Sequence, residues 1–152
     1  TCSMTRMSAS NKINVVPPEA WAEVDCRMLP DRPVEEFVAD FKALVEPSGV
    51  EVKVIMAFSP AVTDTSSRLY NAIERITAER HPGSRVMPSV SAGFTDSHFT
   101  RDAGIASYGF NPVIIPEAEF VRIHGNDERI NLADFRRSIE DHLAIIEAVV
   151  YD

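Results

Sequence analysis

Among the residues of the sequence, His124 has the type and the setting that best suit it for chemistry. It lies between Ile123 and Gly125, at the end of an apolar run predicted to be extended and just before a strong helix start. A neutral imidazole is a common metal ligand, and a loop held between a strand and a helix can fix its orientation. The alternative is a loop histidine whose ring bonds a backbone carbonyl. This stretch taken alone favours the second interpretation.

Three motifs, spread over most of the chain, occur together in one order. Residues 14–17 read Asn-Val-Val-Pro and are followed by Asp-Cys-Arg at 25–27; residues 91–97 read Ser-Ala-Gly-Phe-Thr-Asp-Ser; residues 123–130 read Ile-His-Gly-Asn-Asp-Glu-Arg-Ile. They resemble, in turn, the lid-domain signature, the glycine-rich Thr-Asp motif and the last motif of the M20 zinc metallopeptidases. These enzymes are of the aminoacylase and carboxypeptidase type.

The resemblance implies that His124 is a metal ligand. M20 enzymes have a two-zinc catalytic domain with an inserted ferredoxin-like lid, and a metal-bound water activated by a glutamate attacks an amide carbonyl. Their His-x-Asp ligand pair, their adjacent Glu-Glu that holds the general base and their lid histidine lie in the N-terminal part of the family, and no segment of this sequence matches that part. This chain would therefore supply one zinc ligand and no catalytic base, and one imidazole cannot hold zinc tightly. Glu128 either supports the site from outside or, as we favour, pairs with Arg129 or Arg122.

Two residues of the lid signature are implied to bind substrate. Asn14 would help hold a carbonyl oxygen or a terminal carboxylate, and the planar fork of Arg27 would grip a substrate carboxylate. The alternative for Asn14 is an ordinary turn asparagine. The alternative for Arg27 is a surface ion pair with Asp25, because residues two apart in a strand lie on the same face.

The glycine-rich loop is implied to lie beside the substrate through Gly93, Thr95 and Asp96. Its backbone amides and the Thr95 hydroxyl would donate hydrogen bonds to a bound substrate. The alternative is a glycine turn in which Asp96 caps its own loop. Many members of the family have arginine two residues after this aspartate, where this chain has His98.

Composition excludes several classes of function. The 152 residues carry 15 basic and 23 acidic side chains, a net charge of −8, with no long basic run. This charge argues against a nucleic-acid or anionic-membrane surface, and no apolar run is long enough to span a bilayer. Two cysteines are too few for a disulfide framework. Reduced thiols and a cytoplasmic location are therefore expected.

The first part of the chain, residues 1–60, predicts strand, strand, helix and strand. The strands are expected at residues 2–9, 20–28 and 50–58, because apolar residues alternate there. The helix is expected to follow a cap at Asp31 and to end at residues 47–49. This order matches the last four elements of a ferredoxin-like sandwich, whose opening strand and helix would lie upstream.

The second part, residues 61–152, predicts a layered α/β arrangement. A helix with Leu69, Ile73 and Ile76 on one face should close near residues 81–83, and Asn131 should cap a long final helix. Between them we expect short strands at residues 85–90, 105–110 and 113–115, with a loop at 91–100. The final helix carries an apolar stripe, expected to face the core: Leu132, Phe135, Ile139, Leu143, Ile146 and Val150.

The patterns predict an α+β or α/β fold whose first part matches a ferredoxin-like sandwich. The resemblance implies that this first part is a partial lid or dimerisation domain and that the rest is the C-terminal part of a mixed-sheet zinc-peptidase domain. The parent enzyme would hydrolyse a peptide or an N-acyl amino acid with a free carboxylate. Expected partners are that substrate, two zinc ions, the missing N-terminal part of the enzyme and, through the lid, a second copy. The alternative is a non-catalytic dimerisation or binding module built on the ferredoxin-like half.

Overall fold

The protein divides into two compact units, Thr1–Val62 and Thr63–Asp152. The computed structural model describes residues 1–91 and 93–151. Assigning residues 1–60 to a lid and residues 61–152 to a catalytic domain stays a prediction. Across these described ranges, no helix combines the length and the apolar character that crossing a membrane would require.

The first unit contains an antiparallel pair of strands, β1 (Cys2–Ser8) and β2 (Trp21–Cys26). Both strands were predicted, and β2 is shorter than the alternating pattern at residues 20–28 indicated. The connection between them includes the turn expected around residues 10–12, where the Ser10 hydroxyl bonds the backbone of Lys12.

Cys2 and Cys26 are opposite each other in the strand register and form a disulfide, with their Cα atoms 4.1 Å apart. The expectation of two reduced thiols is therefore wrong for this structure. Spacing alone could not reveal the pair, because the cysteines are 24 positions apart and meet only through the strand register. Just beyond the disulfide, the backbone N–H of Arg27 donates to the carbonyl of Thr1 at 2.7 Å. Together these links fix the backbone at Arg27.

One helix follows the strands. Helix α1 spans Val34–Val45 and continues into a 3₁₀ turn, Glu46–Ser48, which ends at Gly49 with a φ of 81°. That left-handed conformation is easily reached only by a residue without a side chain. The helix is confirmed, but its cap is Pro33 rather than Asp31.

Residues 50–58 do not form the predicted third strand within the described part of the chain, where the sheet of this unit has two strands. A strand needs a neighbour to pair its backbone N–H and C=O groups, and the alternating pattern does not supply one. The described residues therefore do not form the half-sandwich that the sequence suggested.

The second unit is helical in its described residues. Its helices are α2 (Arg68–Arg80), α3 (Ser97–Asp102), α4 (Glu117–Phe120) and α5 (Leu132–Tyr151). Helices α2 and α5 confirm the prediction, while α3 and α4 replace segments expected to be loop and extended. The strands expected at residues 85–90, 105–110 and 113–115 are not formed in the described part of the chain.

The core of this unit lies between α2 and α5. Its buried apolar residues are Ala72, Ile73, Ile76 and Ile145. The face that α2 buries is the one predicted, but α5 buries a different face from the one predicted. Helix α5 buries Ser138, Asp141 and Ile145. Its apolar stripe is 45–63% exposed instead: Leu132, Phe135, Ile139, Leu143, Ile146 and Val150.

Asp141, one of two polar residues on the buried face of α5, has partners at the C-terminal end of α2. Asp141 is 2% exposed, its Oδ2 lies 2.7 Å from Nε2 of His81, and its Oδ1 lies 2.8 Å from Nε of Arg80. The second contact has the distance of an ion pair without the angles of a hydrogen bond. A buried carboxylate is stable only with such partners, so these contacts allow this face of α5 to be buried.

Candidate functional site

His124 lies in a loop between α4 and α5. The apolar stretch before it is not extended, because Pro116 precedes a helical turn that ends at Phe120 and the chain continues in turns. The backbone N–H of Gly125 donates to the carbonyl of Arg122 at 2.8 Å, which closes one of these turns. His124 itself has a φ of 63° and is exposed. A left-handed backbone is uncommon for a residue with a side chain and often marks a functional position.

Glu128 holds the backbone of this histidine. Its Oε2 accepts a hydrogen bond of 3.0 Å from the backbone N–H of His124. The favoured pairing of Glu128 with Arg129 or Arg122 is therefore wrong. Both arginines lie against Glu119 instead, with Arg122 Nε 3.5 Å from Oε2 of that carboxylate.

Glu119 and Arg129 close the two ends of the histidine loop. Nε and Nη2 of Arg129 donate to the two oxygens of Glu119 at 2.9 and 2.8 Å. These hydrogen bonds lower the pKa of Glu119 and raise that of Arg129. Sequence reasoning missed this pair, because ten positions separate the residues. The nearest signal was the Glu119–Arg122 spacing of one helical turn.

The glycine-rich loop leads into α3. The carbonyl of Thr95 accepts from the backbone N–H of His98 at 3.2 Å, and that of Asp96 accepts from Phe99 at 3.0 Å. Asp96 is the cap residue of α3 but makes no side-chain cap bond, and the N–H of Gly93 donates to the Ser91 hydroxyl at 3.1 Å. Ala92 of this motif lies outside the described residues. The backbone of Thr95 and Asp96 is thus tied to the first turn of a helix.

Arg101 anchors the other end of α3. Its Nε donates to the Thr63 hydroxyl at 2.8 Å and its Nη2 to the carbonyl of Ser107 at 3.1 Å. The same Thr63 hydroxyl donates to that carbonyl at 2.8 Å, which completes a triangle. Gly104, with a φ of 76°, turns the chain back so that Ser107 reaches Arg101. Sequence reasoning did not single out Arg101.

His98 stands where many M20 proteins have arginine. Its Nε2 lies 3.3 Å from Oδ2 of Asp102, one turn further along α3. Its ring is 6.1 Å from that of Phe94 and 5.2 Å from that of Phe99, centre to centre. This small aromatic group borders the glycine-rich loop.

The two residues singled out by the lid-like signature, Asn14 and Arg27, belong to the first unit. Arg27 forms a two-pronged pair with Asp25, in which Nε and Nη2 donate to the carboxylate oxygens at 2.6 and 2.7 Å. These bonds lower the pKa of Asp25, partly opposed by desolvation, and raise the pKa of Arg27. The predicted common orientation of the two side chains is confirmed. Asn14 is exposed in the connection between β1 and β2.

Within the described ranges, no group of three or more His, Cys, Asp or Glu side chains could hold a metal ion. Two hollows of about 340 and 200 Å³ lie at the surface of the second unit. The first is lined by Arg68, Asn71, Ala72, Arg75 and Ala148. The second is lined by Leu69, Ile73, Tyr108, Phe110, His142, Ile145 and Ile146. None of the predicted site residues lines either hollow.

Comparison with known proteins decides the family. The sequence pattern of peptidase family M20/M25/M40 matches residues 5–148, nearly the whole chain. The chain belongs to this family. The M20 resemblance drawn from the three motifs is thereby confirmed.

This M20 chain is similar to curated proteins that are much longer. It is 29% identical to an N-fatty-acyl-amino acid synthase/hydrolase PM20D1 of Xenopus tropicalis, over 97% of the chain and 29% of the relative. It is 24% identical to aminoacylase-1 of Homo sapiens, over 97% of the chain and 36% of the relative. The M20 chain thus spans about a third of the length of these proteins.

A solved structure shares the fold. The M20 family metallo-carboxypeptidase Sso-CP2 from Sulfolobus solfataricus superposes with a TM-score of 0.66 and 18% sequence identity. The match covers 98% of this chain and 35% of that one. The mixed α/β architecture of the M20 chain, with its small two-stranded sheet, is therefore that of a segment of this fold.

Proposed function

We propose that the chain is part of a zinc-dependent M20 amidohydrolase that cleaves the amide bond of a peptide or an N-acyl amino acid. The observation that carries the proposal is the setting of His124. The histidine of the last motif lies in a left-handed loop whose backbone is bonded by Glu128 and whose ends are joined by Glu119 and Arg129. A loop held so closely suits a residue that must present its ring in one orientation.

His124 would supply one ligand to a two-zinc site. Its exposed imidazole is a suitable donor, but the described residues contain no set of three donors, so the other ligands would come from the rest of the protein. When bound, zinc would polarise the amide carbonyl and lower the pKa of a water molecule. The contribution of this chain is to hold the His124 ring and to bind the substrate.

What the named relatives share supports the proposed substrate class. Aminoacylase, carboxypeptidase and N-fatty-acyl-amino acid hydrolase are all names for catalysts acting on an amide beside a carboxylate. Arg27 would bind that carboxylate, and Asp25 keeps its guanidinium fork in a fixed orientation. Asn14 would hold the carbonyl oxygen or the carboxylate, while Gly93, Thr95 and Asp96 would line the substrate through backbone amides and the Thr95 hydroxyl.

The assembly around the chain is part of the same proposal. The remaining elements of a ferredoxin-like lid and of the mixed-sheet catalytic domain would come from the rest of a protein about three times as long. The lid would join two copies. A cytoplasmic location is also proposed, and the Cys2–Cys26 disulfide counts against it because disulfides are rare in that compartment. The two-stranded sheet has edges that are unpaired in the described residues. Such edges are normally paired or covered, which supports the proposal that further lid elements or a second copy lie against them.

Hydrolysis of N-acyl amino acids by two polypeptides tests the proposal: the longer gene product and the 152-residue chain. The longer protein should be active, should lose activity with a chelator and should regain it with zinc. The chain alone should be silent, because a single imidazole does not assemble the site. Zinc-dependent hydrolysis by the chain alone would contradict the proposal that the other zinc ligands come from the rest of the protein. A longer protein that contains no zinc and cleaves no such amide would favour the alternative, a non-catalytic dimerisation or binding module.

A further inference from the structure

We propose that Glu119 and Arg129 are positioning residues for His124. The inference rests on the proposed function only for the role of His124 as a metal ligand. The clamp itself, defined as the Glu119–Arg129 pair, is a feature of the second unit. Glu119 belongs to none of the three motifs that led to the family, and Arg129 lies in the last motif, which gave it no role towards His124.

The clamp has the geometry of a strong charge-assisted pair. Two nitrogens of Arg129 meet two oxygens of Glu119 at 2.9 and 2.8 Å, and the carboxylate is 23% exposed. Such two-pronged pairs fix direction as well as distance, unlike a single contact between flexible side chains. Arg122 adds a second cation at 3.5 Å. Glu119 therefore serves as the fixed point to which the far end of the loop is tied.

The segment inside the clamp needs such support. His124 and Asp127 both have left-handed backbones, with φ values of 63° and 58°. Side chains disfavour this conformation, which persists only when the surroundings enforce it. One enforcing contact lies within the loop, where Glu128 accepts the N–H of His124. The clamp supplies a second enforcing contact. Because Arg129 directly follows Glu128, its bonds to Glu119 also restrict the position of Glu128.

Both ends of the clamped loop are set by helices. Glu119 lies within α4, and Asn131, two residues beyond Arg129, caps α5. The Asn131 side-chain oxygen accepts from the backbone N–H groups of Ala133 at 2.8 Å and Asp134 at 3.2 Å. The clamp thus ties the end of one helix to the start of another across the histidine. Breaking it should free the His124 backbone while leaving both helices in place.

Three variants test this inference: Glu119→Gln, Arg129→Met and the exchanged pair Glu119→Arg with Arg129→Glu. In the 152-residue chain, amide hydrogen exchange of the peptide covering residues 121–128 should become about tenfold faster in each single variant. The exchanged pair should recover part of the protection, because it restores opposite charges at the same two positions. Glu23→Gln is the matched control, since it disturbs an exposed Arg–Glu pair in the first unit.

In the longer protein, the same single variants should weaken zinc binding by roughly 10- to 100-fold in competition with a chelator, the usual effect of removing a residue that orients a ligand. The exchanged pair should again recover part of the loss, with an unchanged thermal unfolding midpoint as the check on folding. Unchanged exchange at residues 121–128 would overturn the clamp. Faster exchange with unchanged zinc affinity would overturn its role towards His124. Absence of zinc from the wild-type protein would instead refute the proposed function.

Discussion

Of the two roles predicted for Arg27, the structure contains the pair with Asp25, while substrate binding stays a prediction. Arg27 pairs with Asp25 on one side of the strand end, as an ordinary surface ion pair would. The disulfide between Cys2 and Cys26 and the bond from its own N–H to Thr1 hold its backbone. A guanidinium with a fixed backbone and a fixed fork is also what a carboxylate-binding site requires.

Substitution of Arg27 separates these roles. In the longer protein, Arg27→Ala should lower kcat/KM by roughly 100-fold on substrates with a free carboxylate, because the charged contact is lost. Arg27→Lys should recover only part of the activity, since an ammonium lacks the two-pronged geometry. Matched substrates with the carboxylate amidated should be poor for the wild type and indifferent to the change. Equal losses on acid and amide would leave Arg27 as a surface pair.

At this scale the sequence was informative only where a motif named the residue. His124, Thr95 and Asp96 could be singled out by resemblance. The pairing of Glu119 with Arg129 could not, because the two residues are ten positions apart and their contact depends on how the chain between them turns. No periodic rule relates positions across an irregular loop.

Helices were predicted better than strands, for a physical reason. Helices α1, α2 and α5 satisfy their hydrogen bonds within one segment, so a local pattern suffices. The segments at residues 50–58 and 105–110 have strand patterns but no ladder in the described chain. A ladder depends on a partner segment that the local sequence does not specify.

The packing of α5 against α2 depends on a buried polar contact that hydrophobic periodicity could not anticipate. Asp141→Ala should destabilise the protein by about 2 kcal/mol, because His81 and Arg80 lose their shared partner. Urea unfolding followed by circular dichroism measures the change. Glu140→Ala is the control, because the Glu140 carboxylate is exposed and its contact with Arg80 is longer, at 3.9 Å. Equal effects of the two substitutions would show that the buried contact adds nothing.

The whole molecule leaves one large apolar surface without a neighbour in the described chain. The α5 stripe runs along a helix of 20 residues, and segments with strand-like sequence patterns but no ladder lie in the same unit. Helices of layered α/β proteins bury such stripes against a sheet. Because the chain covers about a third of its relatives, we expect the rest of the protein to supply that sheet.

A charge placed in the stripe distinguishes a covered surface from a solvated one. Ile139→Lys should cost at least about 2 kcal/mol of unfolding free energy in the longer protein, where the side chain would be buried. In the 152-residue chain, where Ile139 is 53% exposed, the same change should have little effect. Urea unfolding of both polypeptides measures the difference. Small effects in both would mean that the stripe stays uncovered.

The zinc content of His124→Ala in the longer protein tests the central claim most directly. The wild type and the variant would be purified in parallel, and bound metal would be measured by elemental analysis alongside hydrolysis of an N-acyl amino acid. We expect zinc and activity to be lost together, because a ligand is removed from a site with few to spare. A variant that keeps the full zinc content of the wild type would show that His124 is a loop histidine and not a ligand.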